Sequence, residues 1–391
     1  MPENGTKWSC VTVAVLTLSA LLTGCGGSDE SSGGGRAVLR YTWWGNPDRA
    51  ARTQEAVALF EKEHPGVEVQ TSFAGYEAYK QKLATQAAGG DAPDVMQLDY
   101  RQIDQYAIPQ GRGTETVVYD SEQWKAAGVP LPRKGWTWGE WAYVMRELAK
   151  KTGKPGSVDP GQSEDCFEVW LRGRGKSLYT KDRGLGFTAA DLTRWWTFTD
   201  ELRRAGAVSS AEQTTQLDGS VENQPLARGN AISDFNWDAP ASGYTPIVGE
   251  GLTLAPMPSG TGGTPGQYFK PSMFMGAADS TEHPKEAAQF IDFMINDEQA
   301  AAILGASRGI PVNEPIREDI GPELKDFDKT VADYQDSLDG TLKALPKAPP
   351  TGDNSLQTTF QRDYDQVSFE QMTPREAAED FITEAKAELR S

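Results

Sequence analysis

Apolar and polar positions alternate from Val38 to Trp44, the period of a strand with one buried face. The period then lengthens: Ala56, Val57 and Phe60 recur on one helical face, and His64-Pro65-Gly66 stops the helix. Val67 to Thr71 alternates again, and Tyr76 to Ala88 is helical by pattern and ends at Gly89-Gly90. Pro93 to Asp99 reads as a third, partly apolar strand. Strand, helix, strand, helix, strand is a βαβαβ unit, which implies parallel strands with helices on the faces of the sheet.

The middle of the chain is richer in helix. Trp138 to Lys151 and Thr188 to Ala205 carry helical periodicity, and Thr188-x-x-Asp191 has the form of a capping box. Ala231 to Phe235 reads as a strand running into Asn236-Trp237-Asp238, and Leu252 to Pro256 as another. The Gly-rich loop Ser259 to Gly266 lacks the GK[ST] ending of a phosphate cradle, so it reads as a plain turn region. Met273 to Ala277 is short and apolar, and Pro284 to Leu304 reads as one long helix. The last helix opens at Thr373-Pro374-x-Glu376 and places Ala377, Ala378, Phe381, Ile382, Ala385 and Leu389 on one face. No internal repeat is visible.

The N-terminal pattern is different in kind. Lys7, the apolar run Val11 to Leu22 and the small residues Thr23-Gly24 form the three parts of an export signal, too short to span a bilayer, which takes about 20 apolar residues. Leu22-Thr23-Gly24-Cys25 resembles the bacterial lipobox, which implies cleavage before Cys25 and a lipid on its thiol. Residues 26–35 are Gly, Ser, Asp and Glu only, a flexible leash with a reach of roughly 17–19 Å. Residues 1–24 are therefore expected to be a lipoprotein signal peptide, and 25–36 a lipidated cysteine and linker. The expected location is the outer face of the cell membrane, reached through the lipid anchor alone.

Composition narrows the function. A net charge of −18 repels phosphate backbones, so no nucleic-acid partner is expected. Cys10 leaves with the signal and Cys25 carries lipid, so Cys166 stands alone, with no intrachain disulfide and the character of a structural thiol. Only His64 and His283 are present, each directly before a proline, which argues against zinc sites and hydrolytic triads; no metal or other cofactor is expected. A carboxylate pair of the glycosidase kind stays open among 56 Asp and Glu residues. Tryptophan is plentiful, 11 in all, and its flat apolar face with a polar edge suits the C–H face of a sugar. Trp195 and Trp196, on an amphipathic helix, read as core.

Seven segments stand out in order: Leu39-Arg-Tyr-Thr-Trp-Trp-Gly45, Phe60-Glu-Lys-Glu-His-Pro-Gly-Val-Glu-Val69, Ala92-Pro-Asp-Val-Met-Gln-Leu-Asp99, Tyr119-Asp-Ser-Glu-Gln-Trp-Lys-Ala-Ala-Gly128, Trp136-Thr-Trp-Gly-Glu-Trp141, His283-Pro-Lys-Glu-Ala-Ala-Gln-Phe290 and Gly309-Ile-Pro-Val-Asn313. Together they resemble the solute-binding lipoproteins of bacterial ABC sugar importers, the large family 1 sugar-binding group. The resemblance implies an α/β, two-lobed periplasmic-binding-protein-like fold of type II, each lobe a sheet flanked by helices, with a hinge between them. Lobe one is expected at 37–105 and 273–316, lobe two at 106–272 and 317–391. It also implies a non-enzymatic monomer that captures a sugar or oligosaccharide by lobe closure and hands it to the permease subunits of the transporter.

The same resemblance points to ligand contacts. Trp44, Asn46 and Asp48 sit at the first strand-to-helix turn, Tyr76 opens the second helix, and Asp99 ends the third strand, where open sheets place ligands. Trp237 falls where the family has a stacking aromatic; Tyr268, Lys270 and Arg308 lie near crossing segments, and Arg112 at the start of lobe two. One departure stands out. Between Asp99 and Ile108 the family carries a few dozen residues, and here only Tyr100 to Ala107. On that count lobe one is shortened after Asp99, losing a strand, exposing an edge and shortening a hinge segment. The alternatives are a surface-anchored hydrolase using an Asp/Glu pair, and a degenerate lipoprotein of the same fold that no longer binds.

Overall fold

A computed structural model describes residues 36–99, 107–346, 350 and 353–389; the export signal, Cys25, the leash and Tyr100 to Tyr106 lie outside the described residues. The chain builds two sheets with flanking helices. The first strand, β1 (Ala37–Trp44), buries Leu39, Tyr41 and Trp43 on one face, as its alternation requires. It runs parallel to β2 (Val67–Ala74) along its whole length, from Ala37 opposite Val67 to Trp44 opposite Ala74. On its other side it meets β3 (Val95–Leu98), again in parallel. The helix Pro47–Glu63 joins β1 to β2. Asn46 caps it by accepting from the Arg49 amide at 2.9 Å, Pro47 sits where no backbone donor is needed, and Ala56, Val57 and Phe60 face the sheet.

Beyond β3 the sheet continues with β4 (Ile108–Gly113), β8 (Lys270–Ala277) and β9 (Ile310–Pro311), in the order β2-β1-β3-β8-β4-β9. β8 runs antiparallel to both β3 and β4. The expected exposed edge after Asp99 is therefore absent at β3, because β8 is paired along Val95–Leu98. β4, assigned by sequence to the second lobe, hydrogen-bonds into this larger sheet, and so do Lys270 and Pro271 at the start of β8. Proline and two glycines give Ile108-Pro-Gln-Gly-Arg-Gly113 no strand signature; the strand forms with register shifts around Gly111. Gly111 is obligatory there, since a Cβ would lie 2.5 Å from the carbonyl oxygen of Arg308.

The smaller sheet is β5 (Glu115–Asp120), flanked antiparallel by β6 (Ser233–Trp237) and β7 (Leu252–Ala255). Helices Trp138–Thr152, Glu164–Arg172, Ala189–Arg204 and Pro374–Glu388 cover it. Trp195 and Trp196 are wholly buried in that layer, with Phe360 and Phe381. Capping boxes at Thr137/Glu140, Thr188/Asp191 and Thr373/Glu376 start three of these helices. The expected single helix from Pro284 to Leu304 is two, Pro284–Asn296 and Glu298–Leu304. Asp297 adopts an extended backbone and accepts from the Ala300 amide at 2.8 Å, so it ends one helix by capping the next.

Among the described residues three segments run between the sheets, and polar contacts tie them together. Only Thr114 separates β4 from β5; its hydroxyl donates to the Tyr268 carbonyl at 2.8 Å, on the segment entering β8. Gln267 Nε2 donates to the Glu115 carbonyl at 2.8 Å. Gln335, on the helix Asp326–Leu338, donates to Asp238 Oδ2 at 2.7 Å and accepts from Arg112 Nε at 2.9 Å. These groups are buried or partly buried, where an unmade hydrogen bond costs about 1–3 kcal/mol, so the crossing is held in one arrangement.

Candidate functional site

A cavity of about 770 Å³ opens between the carboxyl ends of β1 and β3 on one side and the smaller sheet with its helices on the other. Parallel strands end in loops free to carry ligand contacts, so this is the expected place for a site. Trp44 ends β1 and Asn46 follows it, Tyr76 starts the helix Tyr76–Ala88, and Asp99 follows β3; all four line the cavity. Trp44 meets Tyr76 edge-on with ring centres 5.5 Å apart and leans on Tyr79, so its indole is braced. The Tyr76 hydroxyl donates to Asp99 Oδ2 at 3.2 Å.

Trp237 and Lys270 line the cavity from the other side. Trp237 is half-buried, its indole nitrogen donates to Asp165 Oδ2 at 3.3 Å, and the Lys270 ammonium stands 3.7 Å from its ring centre. Glu115 pairs directly with Trp237 across β5 and β6, which puts both side chains on the same face of the sheet. Glu115 is 5% exposed. One oxygen accepts from the Cys166 thiol at 3.1 Å, and the other has no hydrogen-bond partner among the described residues. Burial, reinforced by Asp165, pushes its carboxyl up to about 8. Burial likewise pushes Asp159 and Asp234, two further lining residues, up to about 7.

The remaining four expected contacts do not line the cavity. Asp48 stays in the first turn of its helix and pairs with Arg52 at 3.2 Å. Arg112 is spent on the crossing, over the Phe269 ring and against Gln335. Tyr268 is buried and donates to Glu168 at 2.9 Å. Arg308 lies inside the larger sheet's core, donating to Tyr41, Gln97 and Thr53 at 2.9, 2.8 and 2.6 Å. Sequence reasoning placed these four near the site but could not tell which way they turn. It also passed over Glu115 and Asp234, whose signal is a carboxylate set in an apolar strand, Glu-Thr-Val-Val-Tyr and Ala-Ile-Ser-Asp-Phe.

The wall can grip but has little with which to cut. Braced aromatic rings offer apolar faces, and carboxylates and amides offer hydrogen bonds in several directions. The Cys166 thiol is pushed well up by burial and by Glu115, which keeps it from acting as a nucleophile. Among the described residues no group of His, Cys, Asp and Glu is placed to hold a metal ion. Nor is any described helix long and apolar enough to cross a membrane.

Comparison with known proteins agrees with a binding role. Residues 44–301 match the family described as bacterial extracellular solute-binding protein. An uncharacterized lipoprotein from the oleD 5′ region of Streptomyces antibioticus is 25% identical over 352 residues, covering 73% of this chain and 72% of its own. Among solved structures, a family 1 extracellular solute-binding protein from Alicyclobacillus acidocaldarius is 28% identical with a TM-score of 0.64, covering 91% of this chain and 99% of that one. A periplasmic oligogalacturonide-binding protein from Yersinia enterocolitica, solved with digalacturonic acid, shares the fold with a TM-score of 0.78 at 21% identity, covering 90% and 99%. The family match spans well over half of the sequence and the α/β fold agrees with it, so the chain belongs to the bacterial extracellular solute-binding proteins, non-enzymatic components of ABC transport.

Proposed function

We propose that this protein is the carbohydrate-capturing component of an ABC-type importer. It takes a sugar or oligosaccharide outside the membrane, closes two lobes around it and delivers it, as a monomer, to permease subunits. The observation that carries this reading is the pair of tryptophans, Trp44 and Trp237, which enter one cavity from the two different sheets. Each can cover an apolar C–H face of a saccharide while Asn46, Asp99 and Asp165 accept or donate at its hydroxyl rim. A volume of about 770 Å³ lies in the range of small-molecule sites and leaves room for more than one sugar ring. The digalacturonic acid of the Yersinia relative supports the same ligand class.

The lobes in this proposal are the layers around the two sheets, with the hinge at Thr114, at Tyr268 to Phe269, and between Ile320 and Asp326. Closure about those segments needs small backbone rotations at three places rather than any unfolding. Titration of a mono- and oligosaccharide panel against tryptophan fluorescence tests the reading. A cognate sugar shifts the emission, and Trp237→Ala weakens its binding about tenfold or more. Silence across the panel, or turnover of a labelled oligosaccharide, overturns it.

Cys25 is proposed to anchor the protein by lipid at the outer face of the membrane, with residues 26–36 as leash. Cys25→Ala is then expected to abolish processing and membrane retention in fractionated cells. A processed Cys25→Ala protein still held at the membrane sinks the tether.

A further inference from the structure

Buried carboxyls elsewhere in the fold show what an answered pair of oxygens looks like. Asp159, also in the cavity wall, accepts from the Gly161 amide at 2.9 Å and from the Tyr364 hydroxyl at 2.8 Å. Asp238 accepts from the Thr114 amide at 3.2 Å and from Gln335 at 2.7 Å. Glu115, the first residue of β5, is different. It is 5% exposed in the cavity wall, and its Oε1 accepts only from the Cys166 thiol, a weak donor. Its Oε2 has no hydrogen-bond partner among the described residues. Lys270 acts on it electrostatically, without a hydrogen bond, its ammonium resting on the Trp237 ring.

A buried carboxyl with so little to stabilise a charge keeps its proton. The thiol already donates to Oε1, so the proton belongs on Oε2. That oxygen is then an O–H donor in the cavity wall with nothing to receive it, an arrangement that is costly until an acceptor arrives. Glu115 shares a face of the smaller sheet with Trp237, directly opposite it across β5 and β6. A sugar ring lying on that indole turns its edge, where its oxygens are, toward the strand that carries Glu115.

We propose that Glu115 is a specificity-determining residue, a neutral acid whose Oε2 donates to an oxygen of an uncharged saccharide stacked on Trp237. This rests on the carbohydrate reading above and deepens it. A hydroxyl or ring oxygen has the lone pair this contact needs, and a protonated amine has none. Glu115 also adjoins Thr114, in the crossing between the sheets, so lobe closure and the seating of that oxygen are one movement. The contact couples binding to protons. Asp165, Cys166 and Glu168 on the helix Glu164–Arg172, Lys270 on β8, Tyr268 just before it and Tyr334 on the helix Asp326–Leu338 act on Glu115. Burial first, then Asp165, push its carboxyl up to about 8, against the pull of Cys166 and Lys270. The ligand binds the protonated form, so affinity is level at lower pH and falls as pH rises through about 8, with a proton taken up on binding.

Calorimetric titration of the mature protein with maltotriose, cellotriose and xylotriose, from about pH 6 to about pH 10 and in buffers of different ionisation enthalpy, tests this. The trisaccharide that binds best is expected to lose about tenfold in affinity for each unit of pH above about 8, with net uptake approaching about one proton. Those two readings need no variant. Glu115→Leu is expected to weaken binding about tenfold or more near neutral pH. Glu115→Gln, which keeps an uncharged donor, is expected to recover most of that loss and to bind without the alkaline decline, both variants keeping a cooperative melt. If the parent protein's affinity is level across the range, or if Glu115→Gln declines as the parent does, the inference falls and the carbohydrate reading stands. If none of the three sugars binds at any pH, the carbohydrate reading falls, and the inference with it.

Discussion

The two walls of the cavity bury charges of opposite sign. Behind Trp44, the larger sheet's side buries cations, Arg49 and Arg308. Arg308 is answered by Tyr41, Gln97 and Thr53, and Arg49 by backbone carbonyls. Behind Trp237, the smaller sheet's side buries carboxyls, Glu115, Asp159 and Asp234. The two solutions behave differently in water. Arg49, pushed down by burial and Arg308, still titrates only at about 9, so its side keeps a fixed charge through the neutral range. The carboxyls, pushed up to about 7 or 8, change charge within it. One wall is therefore an electrostatically constant frame, and the other a wall whose charge answers to pH.

The largest expected effect breaks the frame. Arg308→Ala leaves Gln97 and Tyr41 facing a hole in the core, and is expected to cost about 3 kcal/mol or more, read as a lowered midpoint in denaturant. An unchanged midpoint would mean that the buried guanidinium is not part of what holds the larger sheet.

Next comes the pH response of the other wall. Glu115 has its folded pKa above its unfolded one, so the stability it contributes is full below about pH 4.5 and is lost as pH rises through about 8. Glu115→Gln removes that loss. Its melting temperature relative to the parent protein should climb between those limits, by as much as a few kcal/mol of stability at alkaline pH. A constant difference across the range would show that Glu115 ionises as an ordinary exposed carboxyl.

The smallest effect concerns where the two sides touch. A Cβ on Gly243 would lie 2.5 Å from Asn46 Nδ2, and an amide can turn aside, so Gly243→Ala is expected to weaken sugar binding only about two- to threefold. A larger loss would make that contact part of the closed grip.

Much of the architecture is readable in the sequence. The helix from Tyr76 to Ala88 stands as its periodicity and its Gly89-Gly90 stop imply, and Trp195 and Trp196 are core. The Thr188 and Thr373 boxes cap as their spacing demands. Such features depend on neighbours within a turn or two. β4 was hidden because its proline and glycines carry no alternation, and its partners, in β8 and β9, lie more than 150 residues on. Six of the ten contacts expected from the sequence line the candidate cavity: Trp44, Asn46, Tyr76 and Asp99, at strand ends and helix starts, and Trp237 and Lys270.

Sequence by itself determined the parallel βαβ opening, the capped helix starts at Thr188 and Thr373 and the family, because periodicity, caps and ordered motifs are written in contiguous residues. It also determined that the chain is strongly acidic. Only the tertiary structure decided where that acidity is spent. It turned Arg308, Tyr268 and Arg112 away from the cavity and brought Glu115, Asp165 and Lys270 together around Trp237, from strands and a helix up to 155 residues apart. Burial and charge are properties of the folded neighbourhood, so the chemistry of the grip was settled by packing.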